Sequence, residues 1–174
     1  MDTIDIAQRI ASVSLLRGTF TLRSGRISNY YLDKYMFSTQ PDVLKALGEM
    51  FAARIPAGTT RLAGAELGGI PLVSAASMAS GLPCVFIRNQ KKDYGTAKQL
   101  EGVLKAGDRV VIVEDVATTG GQALEAAKVI QAQGGIPTHI IATIDRLEGA
   151  RENVEAAGIA FDSLFTVKEL MPNG

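Results

Sequence analysis

From residue 61 onward the chain alternates short, continuous apolar runs with helical stretches, and few architectures accept that pattern. The runs cover residues 61–65, 83–87, 110–113, 139–144 and 161–166, with helical segments near 70–79, 122–133 and 149–157. Strands that are apolar on both faces and separated by helices predict a parallel sheet of about five strands, covered by helices on both sides. Ligands of such sheets lie beyond the carboxyl ends of the strands. The residues that follow each run are therefore where chemistry is to be sought.

Upstream, Ile6, Ile10, Val13 and Leu16 form a helical stripe over residues 2–16 that Gly18 ends. Residues 20–32, rich in aromatics, Ser and Arg, read as short irregular strands, and 41–55 are helical again, with Pro41 suited to a first turn. There is no internal repeat, low-complexity tract or long linker. A length of 174 residues allows one domain with a real core, so 1–174 is expected to be a single unit, with a small N-terminal part of about 1–40 and an α/β core of about 41–174.

Composition excludes several classes of function. Lys plus Arg and Asp plus Glu each total 18, so net charge points to neither nucleic acid nor a membrane surface, and any anion site must be a local cluster. Asp2 and Asp5, with no basic-then-apolar run, argue against a signal peptide. No apolar stretch approaches the roughly 20 residues of a membrane helix. Cys84 is the sole cysteine, which excludes an internal disulfide and suits a reducing, cytoplasmic setting. The sole histidine, His139, leaves no material for multi-His zinc sites, histidine relays or the usual serine triads, and both residues sit in strand-like runs where they read as structural.

The most informative segment is Val110-Val111-Ile112-Val113-Glu114-Asp115-Val116-Ala117-Thr118-Thr119-Gly120-Gly121. An apolar strand ends in two acids, then a Thr-Thr-Gly-Gly turn opens a helix. Gly120 and Gly121 permit close backbone approach to a ligand. The N–H groups at the helix start favour a phosphate, and Thr118 and Thr119 offer hydroxyls to it. Two carboxylates can accept hydrogen bonds from the two hydroxyls of a ribose. A turn whose acids only cap the helix is the alternative. The segment is neither a Walker A loop nor a GxGxxG fingerprint. A polar, basic stretch, Arg88-Asn89-Gln90-Lys91-Lys92-Asp93-Tyr94-Gly95-Thr96-Ala97-Lys98, follows the second run. Gly68-Gly69 opens a helix after the first run, and Asp145-Arg146-Leu147-Glu148-Gly149 follows the fourth, where an Arg can pair in fork fashion with a carboxylate.

Together these segments resemble the type I phosphoribosyltransferases, and among them the orotate branch. Residues 110–121 are similar to the family's motif for phosphoribosyl pyrophosphate (PRPP). Residues 88–98 look like its catalytic loop, and 64–72 (Gly-Ala-Glu-Leu-Gly-Gly-Ile-Pro-Leu) like its pyrophosphate loop. Residues 20–33 (Phe-Thr-Leu-Arg-Ser-Gly-Arg-Ile-Ser-Asn-Tyr-Tyr-Leu-Asp) resemble the hood that covers the base. The chain departs from frequent family residues at Asn89 and Gly68, where Lys is common, at Arg23, again in place of Lys, and at Asn29, in place of Pro. Lys91 is a candidate to stand in for the cation missing at Asn89.

The resemblance implies that Arg88, Lys92, Tyr94, Gly68, Gly69, Glu114, Asp115, Val116, Ala117, Thr118, Thr119, Gly120, Gly121 and Gln122 bind PRPP. It assigns Thr118, Arg146 and Arg23 to orotate, and catalysis to Lys92, Arg88, Asp115 and Glu114. It also implies magnesium (Mg2+) held mainly through PRPP rather than by direct protein ligands, and a homodimer with shared active sites. The implied reaction joins orotate to the ribose 5-phosphate of PRPP in pyrimidine (UMP) biosynthesis. A phosphoribosyltransferase for another base and a non-catalytic PRPP-sensing regulator on the same fold are the competing readings. The hood and Asp145-Arg146 argue against the first, and the intact catalytic loop against the second.

Overall fold

The apolar runs assemble into one six-stranded sheet. In spatial order it comprises β5 (Leu100–Glu101), β4 (Cys84–Ile87), β3 (Arg61–Ala65), β6 (Arg109–Ala117), β7 (Ile136–Asp145) and β8 (Ala160–Thr166). Neighbours are parallel throughout except β4 and β5, which are antiparallel. The structure, a computed structural model, describes residues 3–21, 25, 27–89 and 99–171. The expected parallel sheet is present, with the two-residue β5 added at its edge.

Alternation along the strands divides the interior into two cores, one on each face. Leu62, Val111, Val113 and Ile141 pack with α1 (Thr3–Ser14), α3 (Pro41–Arg54) and α4 (Gly69–Ser80), while Ala63, Val110, Ile112 and Ile140 pack with α5 (Gly121–Ala132) and α6 (Ala150–Ala156). The short helix α7 (Val167–Leu170) closes the first core through Leu170. No helix among the described residues is long and apolar enough to cross a membrane.

At the N-terminal side a separate two-stranded antiparallel sheet, β1 (Leu15–Thr21) with β2 (Ile27–Leu32), leads into α2 (Lys34–Ser38). Here the helical stripe predicted through Leu16 stops early. Leu15 and Leu16 pair with Leu32 and Tyr31 instead, and Asp33 N donates to Ser14 O at 2.8 Å, so cross-strand hydrogen bonds replace the last half-turn of helix. Gly18, expected as the helix stop, lies within β1, where the register shifts between Arg17 and Phe20. Asp33 caps α2 by accepting from Tyr35 N at 3.1 Å, which sets Lys34 at the first helical position.

The strand lengths also differ from the apolar runs. β6 continues through Glu114 and Asp115 to Ala117, and β7 runs on to Asp145, because the two pair with each other over that whole length. The polar residues at these ends keep strand geometry through backbone bonds that their side chains do not advertise.

Gly64 shows how closely β3 and α4 are set. A Cβ there would lie 2.6 Å from both Gly69 O and Val73 Cγ1. Gly64→Ala should destabilise the fold by about 1–3 kcal/mol through overpacking, read as a loss of roughly 2–4 °C in Tm per kcal/mol for a chain of this size. An unchanged melting curve would show that β3 and α4 can part without cost.

Candidate active site

The chain leaves β3 toward β4 and leaves β6 toward β7, so the sheet order reverses between β3 and β6, the place where open α/β sheets bind ligands. The backbone opens a crevice there. β3 pairs with β6 only as far as Gly64 opposite Val113, whereas β7 follows β6 to Ala117 opposite Asp145. Residues 114–117 thus project beyond β3, and the turn at 66–68 folds in beside them. A Cβ on Gly68 would fall on the Asp115 carboxylate, so a hydrogen is all this position can carry while Asp115 stays where it is. Gln122 Nε2 donates to Glu66 O at 3.0 Å and Asn89 N to Glu66 Oε1 at 2.6 Å, which ties the loops after β3, β4 and β6 to one another.

The acidic pair lies inside β6 rather than after it, and both residues are buried: Glu114 is 4% exposed and Asp115 2%. Asp115 N donates to Glu114 Oε1 at 3.0 Å, and Val116 N to Asp115 Oδ1 at 2.6 Å. Burial, reinforced by the neighbouring charge of Asp115, holds the Glu114 carboxyl well above the usual carboxylate range. Lys34 reaches the pair from α2, its Nζ 2.8 Å from Asp115 Oδ2. Burial works against the charge on Lys34, but the Asp115 carboxylate outweighs it and leaves the ammonium above its ordinary pKa.

Thr118 and Thr119 are exposed at the mouth of this floor. Gly120 has φ +77° and stands at the N-cap of α5, where a Cβ would approach Val154 Cγ2 to 3.0 Å. Both observations demand glycine there. Asn153 Nδ2 donates to Thr119 O at 2.9 Å and braces the turn. The first N–H groups of a helix have no intrahelical partner, so Gly121 and Gln122 begin α5 with donors suited to an anion.

Arg146 comes to the same edge from the end of β7, its N–H donating to Ala117 O at 3.0 Å. Its side chain is held by the hood and by its own turn. Nη2 donates to the Tyr30 hydroxyl at 3.2 Å, the guanidinium stands 5.6 Å from the Tyr30 ring centre, and Nε is 3.0 Å from Glu148 Oε1. Such a guanidinium, 16% exposed between an aromatic ring and a carboxylate, is poised for a planar anionic ligand.

The predicted residues Gly68, Gly69, Glu114, Asp115, Val116, Ala117, Thr118, Thr119, Gly120, Gly121, Gln122 and Arg146 therefore line one edge of the sheet. Arg88 follows β4, its Nη1 4.0 Å from Glu101 Oε1 at the β4–β5 edge, and it lines a cavity with Ala65, Asn89 and Gln122. Arg23, Lys91, Lys92 and Tyr94 lie outside the described residues. Among the described residues no group of three or more His, Cys, Asp or Glu could hold a metal ion. Sequence reasoning missed Lys34, Tyr30 and Glu66 as members of the site. Tyr30 lay in view within the hood segment, and Lys34 one residue beyond its end.

No protein-family model matches the chain. The orotate phosphoribosyltransferase of Methanocaldococcus jannaschii is 46% identical over 153 residues, covering 88% of this chain and 87% of that protein. The chain belongs to the orotate phosphoribosyltransferase family. The family's member from Methanocella arvoryzae is 44% identical, with 98% of both chains covered. Among solved structures, the Mycobacterium tuberculosis orotate phosphoribosyltransferase is 29% identical. In complex with Fe(III) dicitrate it superposes with a TM-score of 0.87 over 98% of this chain and 99% of that one. The same protein in complex with PRPP gives a TM-score of 0.81 over the same shares.

Glu114 makes the stability of the fold depend on pH. Its folded pKa is raised, so its contribution to stability is complete below the unfolded carboxyl pKa and is lost as pH rises through the higher folded value. Glu114→Gln, which cannot ionise, should therefore melt closest to the parent at acid pH and lose less stability as pH rises. Thermal melts of both proteins across pH check this, and parallel curves would show that Glu114 does not carry the proton.

Proposed function

We propose that this protein transfers the 5-phosphoribosyl group of PRPP to orotate, releasing pyrophosphate and giving orotidine 5′-monophosphate in pyrimidine (UMP) biosynthesis. The observation that carries this reading is the edge of β6 and β7. A sunken acidic pair leads into a Thr/Gly turn at a helix start, beside Arg146 held by Tyr30. Those are the groups that a ribose diol, a 5-phosphate and the carboxylate of orotate respectively require. The names of its relatives and the PRPP complex of the M. tuberculosis protein support the same substrates.

In this reading Asp115 and Glu114 orient the ribose, and residues 116–122 hold the 5-phosphate. Gly68 and Gly69 let the pyrophosphate approach the backbone, while Thr118, Arg146 and Arg23 hold orotate. Arg88, Lys92 and Tyr94 stabilise departing pyrophosphate as the loop closes, and closure excludes the water that would hydrolyse PRPP. No nucleophile is required. The C1–O bond breaks toward a sugar of oxocarbenium character, and catalysis lies in positioning and charge stabilisation. Magnesium would enter as the ion of the substrate, held mainly through PRPP oxygens, since no group of three or more His, Cys, Asp or Glu among the described residues could hold a metal ion. When bound it neutralises charge on the leaving pyrophosphate. The chain works as one phosphoribosyltransferase domain in the cytoplasm, with a hood of about 1–40 over a core of about 41–174.

The test is orotate consumption, followed by absorbance, with PRPP and magnesium present. Turnover of orotate is expected, and none with purine bases. Arg146→Ala should weaken orotate binding by about 2–5 kcal/mol, the cost of losing one member of a desolvated charge pair, while PRPP binding is spared. Collapse of PRPP affinity with orotate affinity intact would reverse the assignment of Arg146.

We further propose a homodimer in which each loop of residues 88–98 serves the partner's acidic floor. Lys92→Ala and Asp115→Asn should each be nearly inactive alone. Mixed in equal amounts and allowed to exchange, they should regain about a quarter of wild-type activity, since half the dimers then hold one site with neither defect. Confirmed exchange without recovery would place the loop over its own subunit's site.

A further inference from the structure

Lys34 is a cation in the crevice to which the reaction described above gives no task. Its ammonium lies 2.8 Å from Asp115 Oδ2 and 5.6 Å from the ring centre of Tyr35. The two partners are unequally covered: the Asp115 side chain is 3% exposed, that of Lys34 32%. The carboxylate is sunk in the floor, and the amine meets it from the open side. An ammonium has three N–H donors. Asp115 occupies one, and the partial exposure of Lys34 leaves room for ligand oxygens at the others.

Position 68 supplies the second observation. The pyrophosphate loop of this chain, Glu66-Leu67-Gly68-Gly69, contains no cation. A side chain at Gly68 would collide with the same Asp115 oxygen that Lys34 contacts. Position 68 and the Lys34 ammonium therefore meet at one atom from different elements, the loop after β3 and the start of α2. The turn carries one acid, Glu66, and no cation, while the Lys34 ammonium reaches the Asp115 oxygen beside it from the hood.

We propose that Lys34 binds the pyrophosphate end of PRPP, supplying from the hood the positive charge that this chain's pyrophosphate loop does not carry. The proposal rests on the PRPP reading of the site. Before substrate arrives Asp115 holds the ammonium in place. On binding, the donors not used by Asp115 turn to phosphate oxygens. The competing view makes Lys34 a strut between α2 and β6, important for folding and indifferent to the ligand.

The experiment titrates the full-length parent, Lys34→Met and Lys34→Arg by calorimetry in magnesium buffer. Three probes are used, PRPP, inorganic pyrophosphate and ribose 5-phosphate, and thermal melts are run alongside. Loss of a hydrogen bond to a charged group predicts that Lys34→Met binds PRPP and pyrophosphate about tenfold or more weakly. Ribose 5-phosphate should stay within about twofold of the parent, and Lys34→Arg should recover most of the loss. Unchanged pyrophosphate affinity in Lys34→Met would overturn the proposal, as would equal weakening of pyrophosphate and ribose 5-phosphate with a fall in Tm. A second measurement needs no variant: mass spectrometry of lysine acetylation on the parent, with and without saturating pyrophosphate. Protection of Lys34 is expected, and an unchanged rate counts against the contact even if Lys34→Met does not fold. A parent that binds no PRPP would defeat the functional reading itself. A parent that binds PRPP, beside a Lys34→Met variant that binds it equally, would defeat only the role of Lys34.

Discussion

Strand β6 is hydrogen-bonded along both edges, but to different depths. Its pairing with β7 continues four residues beyond its last partner in β3, and the site follows from that inequality. Had β3 kept pace, the backbone of residues 114–117 would be consumed in a ladder and covered by the next strand. Because β3 turns away after Ala65, a buried strand end faces a loop instead of a neighbour. Continued pairing with β7 keeps that end rigid, while the missing partner on the other side leaves room for a ligand. Few devices place charged groups so deep and still within reach of solvent.

Charge in this crevice is arranged by burial as much as by sequence. Glu114 and Asp115 are adjacent, yet they sit in different surroundings. Glu114 receives the Asp115 N–H and is pushed toward its protonated form by burial, while Asp115 has the Lys34 ammonium beside it. Two neighbouring carboxylates in a dry pocket repel each other, and a proton on one with a cation on the other relieves that repulsion. The floor thereby holds its two acids in unlike surroundings, where a sequence reading sees two equivalent ones.

Much of the architecture was legible because it follows from local pattern. Continuous apolar runs such as 110–113 can only be buried strands, and their alternation with helices leaves little choice of topology. The ends were less legible. Nothing local reveals that Glu114–Ala117 remain in the sheet, because the bonds that keep them there come from β7, beyond an intervening helix. Leu15 and Leu16 read as helix for the same reason, since their strand partners Leu32 and Tyr31 come later in the chain. In the site, glycines and acids announced themselves through spacing. Lys34 did not, because a lysine after a capping aspartate reads as ordinary surface, and only the fold brings it to Asp115. Tyr30 became meaningful in the same way, once the fold set it against Arg146.

That last contact has a bearing on how the enzyme is made. Arg146 and Tyr30 are separated by 116 positions, so the hood leaves the ribosome long before the arginine it will grip has been synthesised. At about 5–20 residues per second, the wait is on the order of ten seconds, during which Tyr30 in the β1–β2 pair lacks that partner. A two-stranded hairpin alone is marginally stable in water. The Arg146–Tyr30 contact is thus a late event of biosynthesis, and a nascent chain halted before β7 would hold residues 64–72 complete while Tyr30 still lacked its arginine.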